Sequence, residues 1–436
     1  MPRLTCCRSC GGSSLEIVLD LGLQPIANAF VEQAKKDEPE DRFPLEIAFC
    51  QDCALVQVTE TIDPDILFGQ DYPYFSSFIP ALLIHSRLHA QALLKSRNLD
   101  ANSLVVEVAS NDGYLLKNFV EAGVPVLGVD PAKGPAEAAV AAGVPTLNAF
   151  FNAETAAKLV GEGRKADVIL ANNVLAHVDG INAFVEGFAV LLKDDGIAEF
   201  EFPYLRDLIE SCAFDTIYHE HVFYYSLAAL EPLFERHGLH LNDVERVDIH
   251  GGSLRLTVSK TAGKTERLQA LQADEAALGM DRIDYYRSFG ARVAGLRDRL
   301  RSVILELTAG GARVAAYGAA AKGVTLLNYL EIGGETLTYA VDRNVHKVGK
   351  FMPGLKLLVR ETDVLGSDKP DYVLILAWNF GAEIMQQQRA YIDGGGRFIL
   401  PIPEPVIVDG KLAGQIASSP SAPKMAAGIS PSSPTA

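Results

Sequence analysis

Residues 215–227 read DTIYHEHVFYYSL and hold two of the nine histidines of the chain, His219 and His221, with Glu220, Asp215 and three tyrosines. Histidine exchanges its proton near neutral pH, so a residue of this type serves as a base under physiological conditions. Tyrosine and protonated histidine donate hydrogen bonds to a developing oxyanion. The inventory suits abstraction of a proton next to a polarised group. A plainer reading also fits, in which a half-buried polar cluster precedes a helix. SLAALEPLFERHG follows directly, with Ser226 placed to cap it and Gly238 to close it. The zinc-protease spacing H-E-x-x-H is absent, because Val222 and Phe223 follow His221.

A second chemistry lies at the N-terminus. Cys7, Cys10, Cys50 and Cys53 form two Cys-x-x-Cys knuckles, and five of the six cysteines fall in the first 53 residues. This spacing predicts a four-thiolate zinc site, against the alternatives of a redox pair or unligated thiols. Four thiolates close the tetrahedron and leave no position for water, so the zinc is expected to be structural. Cys6 is a spare for Cys7, and isolated Cys212 reads as a small core residue.

The elements that must position these groups follow from periodicity. Residues 1–70 form the zinc lobe. IPALLIHSRLHAQALLKSRN has helical spacing, and then short apolar runs (SLVVEVAS, VPVLGVD, ADVILANN, GIAEFEF) alternate with helical stretches. That alternation predicts a parallel, doubly wound sheet over 71–262, with SLRLTVSK as a late strand. A helical connector spans 263–309. A second alternation over 310–412 predicts another Rossmann-like lobe. The Ser/Pro/Ala-rich tail, 413–436, is expected to be disordered. The fold class is therefore α/β: two doubly wound Rossmann-like lobes behind a small zinc-binding lobe.

In the first lobe Glu107 lies near a strand end, and the turn Ala109-Ser110-Asn111-Asp112-Gly113 opens a helix. Asp130 ends the second strand, where a carboxylate accepts the ribose hydroxyls of an adenosine at the carboxyl edge of the sheet. Phe150 offers a face to adenine. Pro131, after Asp130, and Asn172, at a later strand end, complete the expected pocket. The turn has one glycine and one acid, Asp112, with Glu107 just before it, rather than the bare backbone that a pyrophosphate needs. This favours cationic S-adenosylmethionine over NAD. In the second lobe YGAAAKG resembles a phosphate-binding turn at a helix N-terminus. Lys322, Arg343, Asn344 and Lys350 are candidates to seat a diphosphate, with a solvated loop as the plain alternative. Asp342 leaves open an NAD-dependent oxidoreductase, and a non-catalytic nucleotide-sugar binder is a third reading.

A net charge of -16 argues against a nucleic acid polymer as partner. No apolar run approaches the ~20 residues of a membrane span, and the opening residues lack a secretory h-region. A cytoplasmic protein is expected, of undetermined oligomeric state.

CRSCGG, CQDCALVQ, DYPYFSS, VEVASNDGYLL, YHEHVFYYSL, HGGSLRL and YGAAAKG…VDRNVHKVGKFMPG occur in an order that resembles the S-adenosylmethionine-dependent sugar C-methyltransferases of deoxysugar biosynthesis. The resemblance runs to about residue 410. It implies a zinc region, a methyltransferase domain and a C-terminal Rossmann-like domain. It also implies a nucleotide-linked 4-ketosugar as substrate, methylated at carbon through an enolate. Carried onto this chain, it points to Tyr218, Glu220 and His221, and adds Tyr72 and His177. His221 is the expected base, with Glu220 orienting it or bonding a sugar hydroxyl. Tyr72, Tyr218 and His177 would bind the sugar and stabilise the enolate. The loop departs from the family in one place: Ala109 stands where glycine is usual.

Overall fold

The computed structural model describes residues 3–67, 75–78, 80–249 and 251–418. The chain divides into two compact units, each assembled from separated segments. The first comprises 1–17, 47–205 and 220–285, and the second 18–46, 206–219 and 286–436. The sequential division at 70, 262, 309 and 412 follows the chain, whereas the compact units interleave it. The physical reason is pairing across long separations: Val56–Val58, beside the second knuckle, is hydrogen-bonded to Phe223–Tyr224.

The first unit is built on a seven-stranded sheet. Its order is His240–Val247, Ser253–Ser259, Leu192–Pro203, Ala166–Asn172, Val105–Val108, Val126–Asp130 and Thr146–Asn148. The last five are mutually parallel, and Ser253–Ser259 runs antiparallel to both of its neighbours. Val105, Val106, Val168, Ile169 and Leu170 are fully buried, as expected of strands covered on both faces. Phe184, Phe188, Phe200 and Phe234 stack with successive centroids 4.6–5.1 Å apart and join helices to the sheet. These contacts fix the carboxyl edge of the sheet, where the loops after Val108, Asp130 and Asn172 lie.

The second unit carries another seven-stranded sheet. Val314–Tyr317 is parallel to Ala340–Val341 and to Tyr372–Ile375, and the latter to Arg397–Leu400. Antiparallel strands Phe351–Met352 and Val406–Val408 close the edges. Both sheets confirm the doubly wound class.

Several boundaries differ from expectation. The helix Ile181–Leu191 stops before LKDDG, which instead begins the strand Leu192–Pro203. Pairing of Leu192 with Ala166 overrides local helix propensity there. The connector is two helices, Glu266–Leu278 and Phe289–Ala309, separated at Gly279, whose φ of 74° ends the first. The expected disordered tail begins too early. Gly410–Ser418 is helical, and Ala413 is buried against the core of the second unit. Tyr72, His250 and residues 419–436 lie outside the described residues.

Candidate active site

The loop after Val105–Val108 takes left-handed backbone at every second residue. Ala109, Asn111 and Gly113 have φ of 56°, 50° and 76°. Asparagine and glycine take this conformation readily, whereas alanine does so at a cost of about 1–2 kcal/mol. A Cβ on Gly113 would come within 2.9 Å of Val144, so that glycine is required twice over. Ala109 is held in place by its N–H bond to Val129 O, 2.8 Å. Ala109→Gly should stabilise the protein by about 0.5–1 kcal/mol after the extra unfolded-state freedom of glycine is subtracted. Thermal unfolding measures this, and an unchanged or lower midpoint would show that the strain is already relieved elsewhere.

Carboxylates line this loop. Asp130 accepts N–H bonds from Asn111 and Ala132, both 2.8 Å, so one lone pair on each oxygen is left over. Asn111 Oδ1 and Asp112 Oδ2 accept from the N–H groups of Ser76 and Ser77, at 2.8 and 3.1 Å. Glu107 accepts from Leu116 N–H, while its Oε2 is buried with no hydrogen-bond partner among the described residues. Asp112 Oδ1 and Asn172 Oδ1 are in the same condition. Burial, and then repulsion from Asp130 and Asp112, push Glu107 well above the usual carboxylate range; burial raises Asp130 as well. A cationic ligand would relieve this repulsion and a diphosphate would worsen it, so the donor set fits a sulfonium amino acid. Phe150 is 52% exposed beside the strand end at Asn148, whereas Phe151 is buried against Phe184 and Phe188. Asp130→Ala should raise the dissociation constant for S-adenosylhomocysteine about 10- to 150-fold, the equivalent of losing about 1.5–3 kcal/mol of charge-assisted bonding. Titration calorimetry checks this, and unchanged affinity would move the cofactor elsewhere.

The loop after Ala166–Asn172 turns through a short 3-10 helix, Leu175–His177. Its backbone is laced to the segment after the Glu220 motif: Val222 N–H donates to Ala176 O at 2.7 Å, and Tyr225 OH to Leu175 O at 2.9 Å. These bonds bring together His177 and His221, whose ring centroids are 4.8 Å apart and nearly perpendicular. Burial pushes His177 down to about 4, against a raising contribution from the Glu220 backbone, so its imidazole is neutral at pH 7. Glu220 is buried and Tyr218 half-buried. His219 does not share a face with His221, as an extended strand would require, because a turn falls at His219–Glu220. His219 is buried instead against Phe43, with its Nε2 3.2 Å from Pro44 O.

The four cysteines converge as the spacing predicts. Their sulfurs all lie within 4.8 Å of one another, and the Cys7–Cys53 and Cys10–Cys50 separations are both 3.6 Å. Tetrahedral zinc with bonds of ~2.3 Å places its sulfurs about 3.8 Å apart, so the cluster fits that metal. Each knuckle is followed by a left-handed residue, Gly11 or Ala54, and closes with an N–H bond from that residue to the carbonyl of Cys7 or Cys50. Gly12 N–H and Gln57 Nε2 donate to Cys10 Sγ and Cys7 Sγ at 3.3 and 3.1 Å, bonds that stabilise thiolate.

In the second unit the basic residues have their own partners. Lys322 Nζ lies 3.7 Å from the fully buried Asp215, donates to Asn379 at 3.1 Å and sits 3.9 Å from the Trp378 ring centroid. Trp378 Nε1 donates to Asp215 at 2.7 Å. Lys350 pairs with Glu32 at 2.9 Å, and Asn344 forms a local turn with Asp342 and His346. Arg343 is exposed. Glycine at 323 serves packing, since a Cβ there would meet Leu376 at 2.8 Å. Sequence reasoning passed over Asp215, Gln57, Arg8 and the Ser76–Ser77 amides. All four lie in stretches the sequence singles out, DTIYHEHVFYYSL, CQDCALVQ, CRSCGG and DYPYFSS, but nothing in those stretches gives these residues a role of their own.

Acid-lined loop, histidine pair and thiolate cluster now stand in one unit, and the family models fall in matching order. A zinc binding domain matches residues 7–68, a methyltransferase domain 81–244 and a C-methyltransferase C-terminal domain 248–403. The chain belongs to the S-adenosylmethionine-dependent C-methyltransferases. It is 35% identical to C-methyltransferase NovU of Streptomyces niveus over 405 residues, 92% of this chain and 96% of that one. Similarity to the ubiquinone biosynthesis O-methyltransferase of Bartonella tribocorum is confined to 97 residues at 31% identity, 22% of this chain and 39% of that one. Magnesium protoporphyrin IX methyltransferase of Synechocystis PCC 6803, with bound SAM, overlaps 41% of this chain and 79% of its own at 16% identity and a TM-score of 0.32, too distant to guide the site.

Proposed function

We propose that the enzyme methylates a carbon of a nucleotide-linked ketosugar through an enolate. The pairing of His177 and His221 at the carboxyl edge of the cofactor sheet carries this reading. A carbon acceptor has no lone pair, so its proton must leave before a methyl group arrives. A ketone acidifies the neighbouring C–H enough for an imidazole to take that proton. S-adenosylmethionine, when bound, supplies an electrophilic methyl group. Glu107, Asn111, Asp112, Gly113, Asp130, Pro131, Phe150 and Asn172, around the loop of Ala109, would hold it.

His221 is the base in this reading. His177, at about 4, is too acidic in its protonated form to hold an abstracted proton comfortably at pH 7. As a neutral ring it serves instead to orient His221 or to donate to the enolate oxygen. Glu220, Tyr218 and Tyr72 complete the sugar-binding set. Arg343, Asn344, Lys322 and Lys350 are the second unit's candidates for a diphosphate, and the partners of Lys322 and Lys350 make Arg343 the principal cation among them. Structural zinc in the thiolate cluster belongs to the same proposal, and a reducing cytoplasm suits it.

Among the described residues no helix is long and apolar enough to cross a membrane. Methyl-labelled S-adenosylmethionine offered to a panel of nucleotide-ketosugars tests the proposal. Label should appear on a carbon next to the ketone. Label on oxygen or nitrogen, or turnover only of substrates lacking a ketone, would overturn it.

A further inference from the structure

The thiolate cluster is connected to both histidines by short chains of bonds within one unit. On one side, buried Gln57 donates to Cys7 Sγ and accepts from Arg8 N–H, 3.1 Å each. Gln57 lies in the strand Val56–Val58, which pairs Gln57 with Phe223 and Val56 with Tyr224. Val58 N–H donates to Val222 O at 2.9 Å, and Val222 is the residue after His221. On the other side, the Arg8 guanidinium pairs with Asp179 at 2.9 Å, and Asp179 lies two residues after His177. The same guanidinium donates to Val58 O at 2.6 Å, so Arg8 bridges the two paths. Asn182, opening the helix that follows the His177 loop, donates to the carbonyls of Arg8 and Ser9 at 2.9 and 3.0 Å.

A metal knuckle that merely docks on a neighbouring surface needs no such convergence. Here its bonds arrive within two residues of each imidazole, and the two loops are themselves joined by Val222 N–H to Ala176 O, the Tyr225 hydroxyl to Leu175 O and the contact of the two rings. A shift of the knuckle would move both loops, and displacements of ~1 Å at a reacting pair are worth about 100-fold in rate.

We propose that Arg8 and Gln57 are positioning residues through which the four-cysteine cluster sets the separation of His177 and His221. The N-terminal domain is then part of the catalytic alignment. The assignment of the two histidines rests on the function proposed above, but the geometry can be read without any sugar.

Arg8→Ala and Asp179→Asn test this in the full chain, with bound zinc first verified by metal analysis. Two readouts apply. The C–H resonances of His177 and His221, followed by NMR against pH without substrate, report the packing of the rings. Single-turnover methyl transfer reports catalysis. In both variants His177 should titrate above its value of about 4, toward ~6.5, as its ring loosens. The turnover number should fall about 10- to 100-fold with S-adenosylhomocysteine affinity within about threefold. Arg8→Lys should recover part of both, because it keeps the charge facing Asp179. Removing the metal from the wild type should move the His177 titration in the same direction. If Arg8→Ala does not fold, Asp179→Asn carries the test alone, since it changes no residue of the knuckle itself. Wild-type titration of His177 in a folded Asp179→Asn variant, or in Arg8→Ala with only a lowered melting point, would overturn the proposal. A moved titration with no acceptor among ketosugars would sustain it while removing the substrate assignment.

Discussion

His221→Asn should bind S-adenosylhomocysteine as the wild type does and transfer methyl groups about 10²–10⁴-fold more slowly. The loss is confined to turnover because the acid-lined loop and the ladder of Val222 to Ala176 do not involve the imidazole. A proton next to the substrate ketone should exchange with deuterated solvent in the wild type when enolisation is reversible, and the variant should show neither exchange nor methylation at a comparable rate. His177→Asn should be less damaging, because a ring pushed to about 4 by burial is a poor proton acceptor at neutral pH. His219→Asn should affect stability more than turnover, since that ring is packed on Phe43 and Pro44. A His221→Asn enzyme working at the wild-type rate beside a dead His177→Asn would move the base to the 173–180 loop.

Loss of the metal should be the largest stability effect. Cys50→Ser should abolish or severely weaken binding of about one zinc per chain and unfold the segment around both knuckles. The size follows from the chemistry of the cluster. Hydrogen bonding from Cys53 draws Cys7 down to about 5, burial raises Cys50 to about 12, and hydrogen bonding to Cys7, then burial, raises Cys53 still higher. Four sulfurs this close become thiolates together only around a dication. Structural zinc contributes about 10–16 kcal/mol of apparent binding energy near pH 7, comparable with the entire stability of a domain. Metal analysis with calorimetry, before and after chelation, measures both parts. Full zinc occupancy in a Cys7→Ser/Cys50→Ser double variant would eliminate this site.

Groups adjacent in the chain were legible, and groups assembled from distant segments were not. The knuckles and the 109–113 turn are local spacings, and both sheets follow from apolar runs alternating with helices. The meeting of His177 with His221 depends on bonds between distant loops, Val222 to Ala176 and Tyr225 to Leu175, which no local pattern announces. Lys322 was readable as a phosphate ligand because YGAAAKG is visible in one line, whereas Asp215 and Trp378, which occupy its ammonium, are far away in the chain. His219 and His221 stand two apart in one line of sequence, and only the turn at 219–220 separates their surroundings.

The interleaving of the two units bears on how the polypeptide is made. As the nascent chain leaves the ribosome, residues 1–205 hold the knuckles and five strands of the first sheet but lack Ser253–Ser259, which flanks Leu192–Pro203. That strand remains unpaired on one side until about fifty further residues have been synthesised, which at ~5–20 residues per second lasts several seconds. Exposed strand edges of this kind invite association between chains. An expression vector ending at residue 205 would therefore yield an aggregation-prone fragment, because the edge of Leu192–Pro203 that Ser253–Ser259 covers would stay open.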